Sequence, residues 1–185
     1  MREPGKARLE LTGSLLLAHP AMRDPNFRRS VVLLSAHGDD GAMGVVLNRP
    51  LGKRLGDLNA QFAASTLAGV PVYSGGPVRT KQLILAAWQP DPLAAGDRLY
   101  FGIDVDKAEV LKAEDGVKLR AFLGYSGWAK GQLEMELRQN TWVITPVSPE
   151  LLDQAEGQGL WRSILGGLSP EWKLMADEPE DPAAN

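Results

Sequence analysis

The chain has 185 residues, 44% of them hydrophobic and 23% charged, the balance of an ordinary globular protein rather than a disordered, collagen-like or membrane-embedded one. At this length one core can bury about 70% of the surface that the unfolded chain exposes, so neither a disulfide nor a metal is needed to hold it. There is no cysteine, which excludes thiol redox chemistry, iron–sulfur clusters and cysteine nucleophiles and fits a reducing compartment, the cytoplasm.

The net charge of −3 hides two unlike halves: residues 1 to 81 carry 11 Lys/Arg against 6 Asp/Glu, and the remainder 9 against 17. The basic residues of the first half (Arg23, Arg28, Arg29, Arg49, Lys53, Arg54, Arg79 and Lys81) never form the compact run of a nucleic-acid patch, so they read as a solvated face. Leu15-Leu16-Leu17-Ala18 is too short for an export signal. No window approaches the ~20 apolar residues of a membrane span, and no membrane partner is expected. The last ten residues hold four acids and two prolines and are expected to form an acidic tail, 176–185, after a single domain over 1–175.

In chain order, Leu11 to Ala18 reads as a strand ending at His19-Pro20, because a residue before proline is held extended. Ser30 to Ala36 and Ala42 to Asn48 flank the Gly/Asp cluster His37-Gly38-Asp39-Asp40-Gly41, the clearest hairpin signal in the chain. Both strands are apolar at consecutive positions, which predicts cover on both faces and a central place in the sheet. Leu55 to Ala64 has helical spacing. Strands follow at Val70 to Tyr73, Gln82 to Trp88 and, after the loop Gln89-Pro90-Asp91-Pro92, Arg98 to Ile103. Asp104 caps a helix through Lys112, Val117 to Tyr125 is a strand, Trp128 to Arg138 a helix, and Thr141 to Thr145 a last strand. Ser148-Pro149 and Ser169-Pro170 each offer a Ser cap with Pro in the first turn, and Trp161, Ile164, Leu165 and Leu168 form an apolar helical stripe. About seven strands mixed irregularly with short helices predict an α+β fold.

Three segments together carry a resemblance. Gly13 to Val32, running on to Gly41-Ala42-Met43-Gly44-Val45-Val46-Leu47-Asn48-Arg49-Pro50, then Gly75-Gly76-Pro77-Val78, then Gly124-Tyr125-Ser126-Gly127-Trp128 with Gly131-Gln132-Leu133-Glu134, resemble the YqgE/AlgH family of uncharacterised bacterial proteins over nearly the whole chain. The resemblance implies a single domain with a bent, bifurcated mixed sheet, partly closed like a small barrel and surrounded by short helices. It implies no established activity. Some members carry a transcriptional-regulator label, and neither fold nor label fixes function. The ending Glu180-Asp181-Pro182-Ala183-Ala184-Asn185 only loosely echoes the family's C-terminal pattern.

Read for chemistry, Gly124-Tyr125-Ser126-Gly127-Trp128 sits at the expected junction of strand and helix, the setting of a nucleophile elbow, but Trp128 stands where that motif needs glycine. The glycines are therefore expected to make a tight turn, with Ser126 capping the helix and Trp128 anchored in the core. Gly75-Gly76-Pro77 lacks the Lys-Ser/Thr of a phosphate-cradling loop. Two histidines, His19 and His37, without a carboxylate pattern make a poor metal site. Asn48-Arg49-Pro50 stands out, because an amide and a planar guanidinium at a strand end can hold a carboxylate or phosphate; the plainer reading has Asn48 building the turn and Arg49 paired with an acid.

The expectation is thus a cytoplasmic, non-catalytic domain that binds a small anionic ligand or a protein partner, or regulates. Its expected ligand-facing residues are Asn48, Arg49, Gly75, Gly76, Pro77, Gly127, Trp128 and Gln132, with no cofactor and no metal. Two alternatives stand beside it. One is a transcriptional regulator acting on nucleic acid, against which the negative charge argues; the other is a hydrolase or transferase using Ser126 or His19.

Overall fold

The structure, a computed structural model, describes residues 11–93, 96–147 and 156–179. Its strands are β1 (Ser14–Ala18), β2 (Val31–Gly38), β3 (Gly41–Val46), β4 (Pro50–Arg54), β5 (Pro71–Ser74), β6 (Val78–Asp91), β7 (Gly96–Ile103), β8 (Lys118–Ala129) and β9 (Trp142–Pro146). The helices are α1 (Ala60–Ala63), α2 (Val105–Lys112), α3 (Gln132–Arg138), α4 (Gln158–Gly166) and α5 (Pro170–Asp177). This is the α+β class that the irregular mixture of strands and helices predicts.

The sheet runs β4-β5-β8-β3-β2-β1-β9, with β6 pairing β8 and β7 off that path. Among the described residues only β5 and β8 pair in parallel. The fork lies at β8: its first part pairs β6 and β5, and its last four residues pair β3, Ser126 opposite Gly44 and Ala129 opposite Gly41. The sheet is mixed and forked but not closed, since β4 and β9 remain its ends.

The consecutive apolar runs have the expected cause. Side chains alternate between the faces of a strand, so Leu15, Leu17, Val31, Leu33 and Val45 join one core with Trp161, while Leu16, Val32, Leu34 and Val46 join a second with Trp128 and Trp142. Each fully buried Leu or Val is worth about 1.5–3 kcal/mol, and β1, β2 and β3 spend theirs on both faces. A third cluster, built on Leu55, Leu67, Val72, Leu85 and Ala108, seats α2.

Four elements differ from the sequence reading. Leu55 to Ala64 is no single helix: a 3-10 turn over Leu55–Asp57 is followed by α1, because Asn59 accepts a hydrogen bond from Phe62 N and restarts the chain. The exposed strand β4 has no apolar alternation by which to find it. β6 continues through Gln89-Pro90-Asp91 in register with β7; its pairing with β8 stops at Trp88, so the missing N–H of Pro90 faces an open edge. The largest change is at 124–129. β8 runs straight through Gly124-Tyr125-Ser126-Gly127-Trp128, so the expected turn and Ser126 cap are absent, and α3 starts only at Gln132.

Asp104 and Ser169 do cap helices, accepting from Lys107 N and Trp172 N. Ser148-Pro149 lies outside the described residues, as do residues 180–185 of the expected acidic tail. Ala176 is fully buried in the first core, and α5 continues through Asp177.

Ser30 is fully buried, and its hydroxyl has no hydrogen-bond partner among the described residues. Replacing it removes a desolvation cost without breaking a bond. Ser30→Ala is expected to unfold at an equal or higher urea concentration, with a gain of up to about 1 kcal/mol; a loss of that size would mean that a buried water completes the site.

Candidate functional site

Asn48 follows β3 and is buried, with three hydrogen bonds on its side chain. Its Oδ1 accepts from Val31 N at 2.9 Å, and its Nδ2 donates to the carbonyls of Arg29 and Gly157, both at 2.9 Å. These partners fix the amide orientation, because a flipped side chain would set its oxygen against two carbonyls. Asn48 therefore joins three stretches far apart in sequence, at 29–31, 48 and 157; both of its N–H donors are spent and its side chain is buried, so it offers a ligand no donor.

Arg49 points the other way. Its Nη1 and Nη2 donate to the carbonyls of Pro25 and Arg28, each at 3.1 Å, within the turn that leads into β2. That turn is set by Asp24, whose carbonyl accepts from Phe27 N and Arg28 N and whose Oδ1 accepts from Asn26 N. Among the described residues no carboxylate hydrogen-bonds or ion-pairs with Arg49, so the expected acid partner from the acidic half is not there. Burial and the Arg28 charge both lower the Arg49 pKa, against the pull of Asp24. The result is a half-buried guanidinium, oriented by two neutral oxygens, in a locally positive corner.

The two glycine segments meet face to face. Gly75 N donates to Leu123 O, and Gly75 O accepts from Val46 N at 2.9 Å and from Ser126 Oγ at 3.1 Å. A Cβ on Gly75 would stand 2.2 Å from the Gly124 carbonyl oxygen, and one on Gly76 would stand 2.3 Å from the Tyr125 backbone. Gly124 itself has φ +77° and closes against the carbonyls of Gly76 and Val78. The glycines permit a backbone seam and leave no hollow between them. Pro77 and Gly127 lie at its exposed ends.

Trp128 and Gln132 belong to another network, on the second core. Trp128 Nε1 and Trp142 Nε1 both donate to Glu136 Oε2 at 2.8 Å, while Gln132 Nε2 donates to Glu136 Oε1 at 3.0 Å. Gln132 Oε1 accepts from Ala129 N, which bridges β8 to α3. Glu136 is thus the hub; the sequence offers its four-residue spacing from Gln132 but not the two indoles. Close by, His37 Nε2 and Glu134 Oε1 are 2.7 Å apart and His37 Nδ1 faces Leu11 N, a pairing with no local sequence signal.

Ser126 is fully buried with its hydroxyl on Gly75 O, and no histidine bonds to it. The His19 ring stacks edge-on against Trp172, and its Nδ1 accepts from Ala21 N. Beneath α4, Arg120 lies 4.6 Å over the Tyr73 ring and donates to Leu47 O, while the Tyr73 hydroxyl donates to Glu156. Burial lowers the Arg120 pKa and raises that of Tyr73. Among the described residues no group of three His, Asp or Glu side chains is placed to hold a metal ion.

The sequence profile of the AlgH-like family matches residues 15–173. A UPF0301 protein of Streptomyces coelicolor is 38% identical over 187 residues, covering 95% of each chain. The chain belongs to the AlgH-like family. A UPF0301 protein of Parabacteroides distasonis is 36% identical, with 96% of this chain and 92% of that one covered. The solution structure of the AlgH protein from Pseudomonas aeruginosa is similar with a TM-score of 0.65 at 27% identity, over 98% of this chain and 100% of that one. A crystal structure of a Corynebacterium diphtheriae protein gives a TM-score of 0.72 at 21% identity, over 94% and 95%, a likeness of fold. Among the described residues of this AlgH-like chain, no helix is long and apolar enough to cross a membrane.

Within the AlgH-like fold, the backbones of 48–49, 74–76 and 124–126 do converge: Arg49 O accepts from Ser74 N, and Gly75 O joins both β3 and β8. Their side chains diverge. Arg49 goes to the 25–28 turn, Trp128 and Gln132 go to Glu136, and Asn48 goes inward.

Proposed function

We propose that this AlgH-like protein is a non-catalytic binding domain with a regulatory role, and that Arg49 receives the carboxylate or phosphate of its ligand. The observation that carries the reading is the state of that guanidinium: half-buried, held in place by the Pro25 and Arg28 carbonyls, beside a second arginine, and without a bonded acid among the described residues. A fixed planar fork loses little freedom on binding, and partial burial strengthens its hydrogen bonds to an anion. The commitments of Ser126 and His37 support binding over turnover, because the serine hydroxyl is spent on Gly75 O and the His37 ring on Glu134 and Leu11 N; His19 spends its Nδ1 on Ala21 N and packs its ring on Trp172.

A thermal-shift screen of carboxylate and phosphate metabolites tests the proposal. An acid present at 100 times its Kd adds about 2.7 kcal/mol, a rise of several degrees for a chain of this size. Arg49→Gln is expected to lose that rise, while Arg49→Lys, which keeps the charge but not the fork, retains part of it. If no acid raises the wild-type midpoint, or if Arg49→Gln responds equally, the reading falls.

A further inference from the structure

The helix pair at the end of the described chain holds a feature that neither the core nor Arg49 uses. α4 and α5 flank an open surface groove of about 420 Å³ lined by the exposed Gly159, Arg162 and Ser163 and the half-buried Gly166 from α4 and by the exposed Lys173 and Asp177 from α5. The α4 residues recur at three- and four-residue spacing, so they form one face of that helix, opposite the buried Leu160, Trp161, Ile164 and Leu165. The inner face seats the helix on the sheet. The outer face has small or polar side chains where two packed helices ordinarily interlock apolar ones.

The polar groups in this groove are unequally committed. Arg162 is tied down: its Nε donates to Ala176 O at 3.3 Å and stands 3.7 Å from Asp177 Oδ1. The Lys173 ammonium, as distinct from its backbone N–H on Ser169 O, forms no hydrogen bond or ion pair with any described residue, and neither does the Ser163 hydroxyl. A positioned guanidinium, an unpaired ammonium and an unpaired hydroxyl thus surround one opening, with a single carboxylate at its end. Gly166 keeps the wall low; a Cβ there would stand 3.5 Å from the Lys173 Cβ, in ordinary contact.

We infer that this groove is a second ligand site, for a small organic anion whose carboxylate or phosphate group is bound by Lys173 and Ser163 beside Arg162. The shared chemistry is an oxyanion that accepts one charged and one neutral hydrogen bond, with Asp177 keeping Arg162 at the rim. The site is independent of Arg49, which faces the 25–28 turn.

The test is an amide correlation NMR titration of the full chain at constant ionic strength, with sodium phosphate in one arm and sodium succinate in the other. Saturable shifts of residues 159–166 and 173–177 are expected in at least one arm, which also identifies the preferred oxyanion. Lys173→Gln, an exposed substitution, is expected to weaken that binding about two- to fivefold, the worth of one solvent-screened charge pair. Ser163→Ala weakens it less, and Gly166→Ala, which narrows the groove, also weakens it. Shifts that never saturate, or that persist unchanged in Lys173→Gln, overturn the inference. Shifts confined to 24–29 and 49 overturn it while leaving the Arg49 proposal standing; shifts confined to the groove support it, and the Arg49 proposal is then decided by the metabolite screen.

Discussion

Asn48→Ala is expected to lose about 3 kcal/mol or more of folding stability, one of the largest effects of any single side chain in this protein. The substitution strands the buried Val31 N–H, a cost of about 1–3 kcal/mol, and takes Nδ2 away from the carbonyls of Arg29 and Gly157, of which the Gly157 carbonyl keeps Leu160 N as a donor. It also releases a strained residue: Arg29 has φ +52°, and Asn48 Nδ2 is bonded to its carbonyl. The Arg29 guanidinium holds the same turn from outside, bonded to Gln158 and the Glu178 carbonyl over the Trp161 ring, so the loss extends to the seating of α4 and α5. Asn48→Asp is expected to be at least as severe, because it keeps the acceptor for Val31 N but turns a buried carboxylate toward two carbonyl oxygens. Urea unfolding at neutral pH measures both: the midpoint falls with an unchanged slope. A loss under about 1 kcal/mol for both variants would mean that the three bonds are not the clamp described here.

Asn48 also shows what the sequence conveys and what it hides. The amide at the end of an apolar strand is conspicuous, and its pairing of donor and acceptor suggests recognition. Nothing local says that Gly157, 109 residues on, supplies one of its partners. Arg49 is similar: the residue is visible in the sequence, but its partners are two backbone carbonyls, which any residue type can provide. The central strands are legible for a different reason. β2 and β3 must fill two cores at once, so their composition alone reports their place, and the Gly/Asp cluster between them marks the turn.

The stretch 124–132 misleads because glycine and serine serve turns and close strand contacts alike. Gly124 has the positive φ that a turn would need, yet it uses it inside β8 to let Gly76 and Val78 approach. Trp128 reads as a core anchor and is one, but it reaches the core from a strand, and its indole N–H finds Glu136 through folding back along α3. Tertiary pairing decides these residues; helical spacing accounts only for the bond between Gln132 and Glu136.

The same seam carries the second large prediction, and three glycine-to-alanine variants separate its causes. Gly75→Ala places a methyl 2.2 Å from the Gly124 carbonyl oxygen, a backbone atom that no rotamer change can move. The only relief is to part β5 from β8, which breaks the Gly75 N to Leu123 O bond and disturbs the carbonyl that serves Val46 N and Ser126 Oγ. A cost above about 4 kcal/mol is expected, so that the variant is unfolded or insoluble at 37 °C. Gly13→Ala meets no atom within 4 Å but must adopt φ +85°, and it is expected to lose about 1 kcal/mol. Gly38→Ala meets neither obstacle and is expected to be neutral or to gain up to about 1 kcal/mol through reduced freedom of the unfolded chain. Thermal and urea midpoints of the three variants therefore fall in the order Gly38, Gly13, Gly75. A Gly75→Ala protein as stable as the Gly13→Ala one would show that β5 and β8 are not in van der Waals contact at this corner, and the seam would then be open to a ligand after all.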